Sequence, residues 1–244
     1  VINAGKDGQT AIVAGRDLNL GTVKVAEQEN NVRDASNYLK QGYVKDVGTT
    51  VQTQGDLIQQ AGGDLTARAA TVTSEHGALV AVAQGDVNIL AGEASSNWSE
   101  GRKHKDRGLL GSSTKISRNS LEETLAVATT FSGNTVAVQG QNLIIAGSNV
   151  VSDAHTTIAA KNDLTIQAAT ETRSESHFQK TKKSGLLHSG GAAFTVGSQM
   201  QSLDKRDVST STAASTVGST DGNVDLVAGK NYQQVGSNVL APKG

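Results

Sequence analysis

Apolar residues in this chain recur two apart in short runs such as Leu79-Val80-Ala81-Val82, Thr135-Val136-Ala137-Val138 and Leu18-Asn19-Leu20. Residues two apart point to one face of a strand, so this spacing predicts short half-buried β-strands. Ala11-Ile12-Val13 and Thr156-Thr157-Ile158 read as strands too. Many of the strands follow one punctuation. A small or polar pair precedes Asp or Asn, then comes an apolar residue, any residue, and usually another apolar one. Seven copies centre on Asp17, Asp56, Asp64, Asp86, Asn142, Asp163 and Asn223. The Gly before the acid is expected to take positive φ, and the Asp or Asn to hydrogen-bond backbone just beyond the turn.

The spacing of the copies predicts the architecture. Asp64 to Asp86 is 22 residues and Asn142 to Asp163 is 21. A unit of that length closes one coil of a parallel β-helix. A β-sandwich explains turns at Asn and Gly, but not one motif returning at that interval. The gaps Asp86 to Asn142 (56) and Asp163 to Asn223 (60) exceed one coil and hold insertions. The fold class expected is therefore all-β: a right-handed parallel β-helix carrying antiparallel β-hairpin insertions. Residues 1–244 are expected to form a single repeat domain, read as a fragment of a longer protein because Val1-Ile2-Asn3 looks like the inside of a strand.

The insertions, about 94–133 and 172–219, duplicate each other. Each runs acidic, aromatic, basic, Gly-Leu-Leu. The first holds Glu93, Trp98, Arg102, Lys103, His104, Lys105, Arg107 and Gly108-Leu109-Leu110; the second Glu171, Phe178, Lys180, Lys182, Lys183 and Gly185-Leu186-Leu187. A weaker relative spans Ala26 to Asp46 with Tyr38 and Tyr43. The insertions are expected as ribbons stacked on each other or along the shaft, with Leu121–Thr130 as an alternative short helix. Trp98, the sole Trp, is out of scale with Val, Ile and Leu coils and is expected at a ribbon base or surface, with a core-packing role as the alternative.

Composition narrows the function. Aromatics make up 3% of the chain and Pro occurs once, against 27 Gly, so the core consists of small aliphatic residues. A net charge of −1 gives no global field to recruit nucleic acid. Cys is absent, which fits export across a cell envelope in unfolded form. No apolar run reaches the roughly 18 residues of a membrane-spanning helix. The calcium-type nonapeptide does not recur, there is no zinc motif, and His76, His104, His155, His177 and His188 are scattered, so no cofactor or metal is expected. The motif aspartates resemble the acids of a β-helix glycan hydrolase or lyase, but the turn role already accounts for them. Candidate surface-interaction residues are Trp98, Arg102, Lys103, Lys105, Arg107, Lys180, Lys182 and Lys183. They are suited to anionic glycan, lipopolysaccharide or protein, or else are solvated charge that guards exposed strands.

Repeats such as Ala14-Gly15-Arg16-Asp17-Leu18-Asn19-Leu20 and Ala61-Gly62-Gly63-Asp64-Leu65 resemble the haemagglutinin repeats of filamentous-haemagglutinin/CdiA-type exoproteins. The Ser/Lys-rich insertions ending in Gly-Leu-Leu resemble the later repeat region of contact-dependent inhibition members. The resemblance implies a right-handed β-helix secreted by the two-partner route to the surface of a Gram-negative bacterium. It implies an outer-membrane transporter as export partner, and a target-cell receptor, glycan or outer membrane as contact partner. The function expected is a structural or adhesive shaft segment serving surface display, cell contact or toxin delivery, and not an enzyme. A membrane-translocation segment is the alternative, favoured only by the apolar stretch near Gly185–Val196.

Overall fold

The computed structural model describes residues 1–5, 8–188 and 194–244, with side chains described outside 186–195. The chain winds through a three-faced coil. The first coil contributes Ile2–Asn3, Thr10–Ala14 and Leu18–Leu20; the second, Thr50–Thr53, Leu57–Ala61 and Leu65–Arg68. In the next three coils the first two faces run together, as Thr71–Ala83, Thr130–Gly140 and Asn149–Ala160. Their third faces are Val87–Leu90, Leu143–Ala146 and Leu164–Gln167. The sixth coil is Thr216–Ser219, Asn223–Ala228 and Tyr232–Val235, and Asn238–Leu240 opens a seventh. Strands of successive coils pair in parallel, for example Leu65 with Val87, Val87 with Leu143 and Leu143 with Leu164. This is a parallel β-helix, and crossovers between parallel strands are almost always right-handed.

Because every coil sits in register on the last, inward residues form columns. On the third face Leu18, Leu65, Val87, Leu143 and Leu164 stack, beside Leu20, Ala67, Ile89, Ile145 and Ile166. On the first face Val51, Val72, Phe131, Val150 and Val217 stack. Gln59 interrupts the second-face column: it is fully buried, and neither its amide N nor its O finds a partner.

The corner before the third face is held by a ladder of Asp and Asn side chains. Asp17 Oδ1 accepts the Asp64 N–H (3.0 Å), Asp64 Oδ1 that of Asp86 (2.8 Å), and Asp86 Oδ1 that of Asn142 (3.0 Å). Asn142 Oδ1 accepts from Asp163 N (3.4 Å), and Asp163 Oδ1 accepts both backbone and amide N–H of Asn231. Two of the seven motif copies lie elsewhere. Asp56 caps the preceding corner, accepting from Ala78 N at 2.9 Å, and Asn223 starts the second-face strand beside His155. The ladder's sixth member is Asn231.

The motif glycines serve a purpose other than the one expected. Positive φ occurs among the described residues at Ala69, Gly147, Gly185 and Gly236, not at Gly15, Gly62, Gly63 or Gly85. A Cβ on Gly63 would lie 2.2 Å from Asp17 Oδ1, and one on Gly85 2.1 Å from Asp64 Oδ1. At these two steps the acid of one coil sits where the next coil would carry a side chain, and Gly leaves that space.

Ala69 (φ 47°), Gly147 (φ 56°) and Gly236 (φ 57°) follow the third-face strands of the second, fourth and sixth coils. There one left-handed residue turns the chain directly into the next coil. After the first, third and fifth coils the chain instead departs at the same corner as a long hairpin. These are Thr22–Asp34 with Asn37–Gly48, Gly92–Gly108 with Gly111–Val127, and Ala169–His188 with Phe194–Ala213. The chain is back on the shaft by Thr130 and Thr216, and Leu121–Val127 is strand, paired on both sides as far as Thr124, not helix.

The hairpins join side to side. Asn37–Gly48 pairs antiparallel with Gly92–Gly108, and Gly111–Val127 with Ala169–His188, giving one six-stranded antiparallel sheet beside the shaft. The alternation makes this possible. Both coils and strands step by about 4.8 Å, so two coils rise about 9.6 Å, the width of one two-stranded hairpin. A hairpin on every coil would be too crowded to pair.

Two substitutions test this packing. Gly147→Ala must hold an L-residue at φ 56° with its Cβ 2.4 Å from that of Ala169, and is expected to lower stability by at least about 1 kcal/mol in urea denaturation. Gln59→Leu removes an unpaired amide from a dry column and is expected to raise stability by about 1–2 kcal/mol in the same measurement.

Candidate functional site: the hairpin sheet

The sheet is rooted by buried polar contacts. Asp46, 2% exposed at the end of the first hairpin, accepts from Arg68 Nε (3.3 Å) at the second coil's corner and from Glu93 N (3.0 Å) at the root of the second hairpin. Glu171 Oε1 accepts from Ala126 N at 3.2 Å and so ties the third hairpin to the second. At the outer turn of the first hairpin, Asp34 accepts from the Asn37 side chain and from the Ser36 and Asn37 N–H groups. The Asn37 amide first, then the Ser36 N–H, hold its carboxyl below the usual range.

Strand alternation gives the sheet two unlike faces. Residues in register share a face, so Glu29, Gln41, Trp98, Leu121, Glu175 and Asp207 form one row. On this face Arg102 pairs with Glu100, Arg173 with Glu123 (3.4 Å) and Lys205 with Asp207 (2.6 Å), while His104 and His177 are hydrogen-bonded to Asp106 (2.7 Å) and Glu175 (2.9 Å). The partner Asp207 raises the Lys205 pKa, first through their hydrogen bond and then through its charge.

The opposite face is cationic towards its outer end. Lys103, Ile116 and Lys180 form one row there, and Lys105, Thr114 and Lys182 the next, with Arg107 beyond. Nearer the root, Arg118 lies over the Phe178 ring (5.4 Å), and Tyr38 covers Gly101, where a Cβ would meet its ring at 2.4 Å. The turn Gly108–Gly111 presents Leu109 (104% exposed) and Leu110 (71%) to solvent.

The eight candidate residues therefore divide. Lys103, Lys105, Arg107, Lys180 and Lys182 share the cationic face. Trp98, Arg102 and Lys183 lie on the ion-paired face, with Trp98 half-buried in mid-strand. The contiguous basic runs concealed this division, because alternation sends neighbours to opposite faces. Sequence reading missed Asp46 and the acids Glu27 and Glu29, whose importance appears only in the register. The His188 side chain and the apolar stretch near Gly185–Val196, apart from Gly185 and Val196 themselves, lie outside the described side chains. Among the described residues no group of three His, Cys, Asp or Glu is placed to hold a metal ion, and no helix is long and apolar enough to cross a membrane.

A solenoid of short parallel coils bearing a lateral antiparallel sheet defines a β-helical repeat protein. The hemagglutinin repeat family model matches residues 108–244, and the chain belongs to that family. It is 38% identical over 179 residues to a tRNA nuclease CdiA of Escherichia coli (strain STEC_O31), covering 72% of this chain and 6% of that protein. It is 34% identical over 203 residues to a 16S rRNA endonuclease CdiA of Enterobacter cloacae, covering 82% of this chain and 6% of that one. A tRNA nuclease CdiA of Escherichia coli O6:K15:H31 is 41% identical over 142 residues, 57% of this chain and 4% of its own length. The chain thus spans about 6% or less of the relatives it matches, and no solved structure matches it. It is a repeat-region segment of a filamentous-haemagglutinin/CdiA-type exoprotein.

The roots of the sheet are directly testable. Asp46→Ala leaves the Glu93 N–H without its acceptor and is expected to cost about 1–3 kcal/mol. The loss should be confined at first to faster amide exchange at Glu93–Ser95, with the shaft columns still protected.

Proposed function

We propose that this segment is a non-enzymatic, adhesive shaft element that stiffens a secreted exoprotein and holds the hairpin sheet out for cell contact. The observation that carries the reading is the use made of the motif acids. Asp17, Asp64, Asp86 and Asp163 each accept a backbone N–H of the following ladder residue and so serve as corner staples. The nuclease names belong to relatives matched over a few per cent of their length, within the repeats. The toxin chemistry of such a protein resides in another part of the chain. Membership of the family supports export through an outer-membrane transporter and display on a Gram-negative surface, with toxin delivery as the parent's task.

Contact falls to the cationic face. Neighbouring lysines along a strand are about 6.8 Å apart and the two lysine-bearing strands about 9.6 Å apart, a grid suited to repeated anionic groups on a target surface. Trp98, Arg102 and Lys183 take no part in that grid. Changing Lys103, Lys105, Lys180 and Lys182 together to Ala is expected to reduce binding of the labelled chain to Gram-negative cells by about tenfold. Raising the ionic strength should reduce wild-type binding similarly. Unchanged binding of the fourfold variant at low salt would remove the cationic face from the account.

A further inference from the structure

The ion-paired face carries a groove that the cationic contact does not use. It lies over three successive rows: Glu27–Tyr43–Ser96, Glu29–Gln41–Trp98 and Asn31–Leu39–Glu100. Rows on one face of a strand are about 6.8 Å apart, so the groove is about 14 Å long. The Trp98 indole stands in its middle row. On the shaft side is a hollow of about 320 Å³ lined by Glu27, Glu29, Gln41, Tyr43, Trp98 and Leu121. On the outer side is one of about 480 Å³ lined by Asn31, Leu39, Trp98, Glu100 and Arg102. Small-molecule sites begin at about 300 Å³.

The groove's chemistry is specific. Trp98 is the chain's sole Trp, and Tyr43 beside it is 41% exposed. Gln41 Nε2 donates to Glu29 (2.5 Å), which uses one of the amide's donors and leaves its oxygen as an acceptor. Glu27 and Glu29 are acceptors only. An aromatic platform with acceptors on its shaft side matches a ligand with apolar C–H faces and many O–H donors. Of the strands beneath, Asn37–Gly48 and Gly92–Gly108 have both edges paired, while Thr22–Asp34 is the outermost strand of the sheet; a peptide added as a strand would extend that edge and would not lie across the groove over Trp98. The carboxylates disfavour a polyanion.

We propose that this groove binds a neutral oligosaccharide, one ring stacked on the Trp98 indole with its hydroxyls donating to Glu27, Glu29 and Gln41, and the chain continuing into the outer hollow. The proposal rests on the contact reading for its setting and gives that contact a second ligand, on the face away from the lysines.

The test is a glycan array of neutral and anionic oligosaccharides probed with the intact chain. Trp98 fluorescence then serves as a titration readout for each hit. Neutral glycans should be retained and should change Trp98 emission. Tyr43→Ala and Glu27→Gln, which keep the reporter, should weaken binding at least tenfold, and Trp98→Ala should abolish it. The fourfold lysine variant should bind these glycans as the wild type does. Retention of no neutral glycan, retention of anionic ones only, or binding that survives Trp98→Ala in a folded variant would overturn the proposal. Loss of cell binding in the lysine variant with glycan binding intact would support both readings. No neutral-glycan binding by the wild-type chain together with lysine-dependent cell binding would sink the groove alone.

Discussion

The 4.8 Å hydrogen-bonded spacing between neighbouring β-strands governs this molecule twice, once up the shaft and once across the lateral sheet. Parallel coils rise by it, and antiparallel hairpin strands are separated by it. A hairpin takes two such steps, so it can join its neighbours only if hairpins leave every second coil. The chain obeys this at the first, third and fifth coils, and closes the second, fourth and sixth with a left-handed residue at Ala69, Gly147 and Gly236. A hairpin alone in water is marginal, whereas six strands locked together and rooted by Asp46 and Glu171 form a persistent surface.

The shaft gains its own regularity from one residue type at one corner. Asp17, Asp64, Asp86, Asn142 and Asp163 each accept a backbone N–H one coil on, and Asp17 and Asp64 occupy the space that Gly63 and Gly85 leave. The apolar columns follow from the same registration, since equal steps place Leu over Val over Leu without alternative packings. Rigidity and presentation thus have one origin, and only the outward residues between corners are free to vary in polarity without disturbing the stack.

Much of this was legible in the sequence and some was not. The period of the Asp/Asn motif specified the coil, and the duplicated acidic–aromatic–basic order marked the second and third hairpins. Asn231 escaped because Tyr232-Gln233-Gln234 replaces the usual apolar pair, while Asn223 mimicked the ladder from a strand start. The role of glycine was misassigned because close approach between coils leaves no local trace, whereas positive φ is a local expectation. The candidate surface was visible as two basic runs, but its division between two faces depends on pairing register. So does the meeting of Glu27, Gln41 and Trp98, which come from three different strands.

Site-resolved hydrogen exchange on the intact chain tests the shared spacing most directly. The informative amides are those joining separate hairpins, between Asn37–Gly48 and Gly92–Gly108 and between Gly111–Val127 and Ala169–His188. Commensurate stacking predicts that they are slowed as strongly as those within each hairpin. Rapid exchange at these two seams alone would show three independent ribbons in place of one sheet, and would contradict the account.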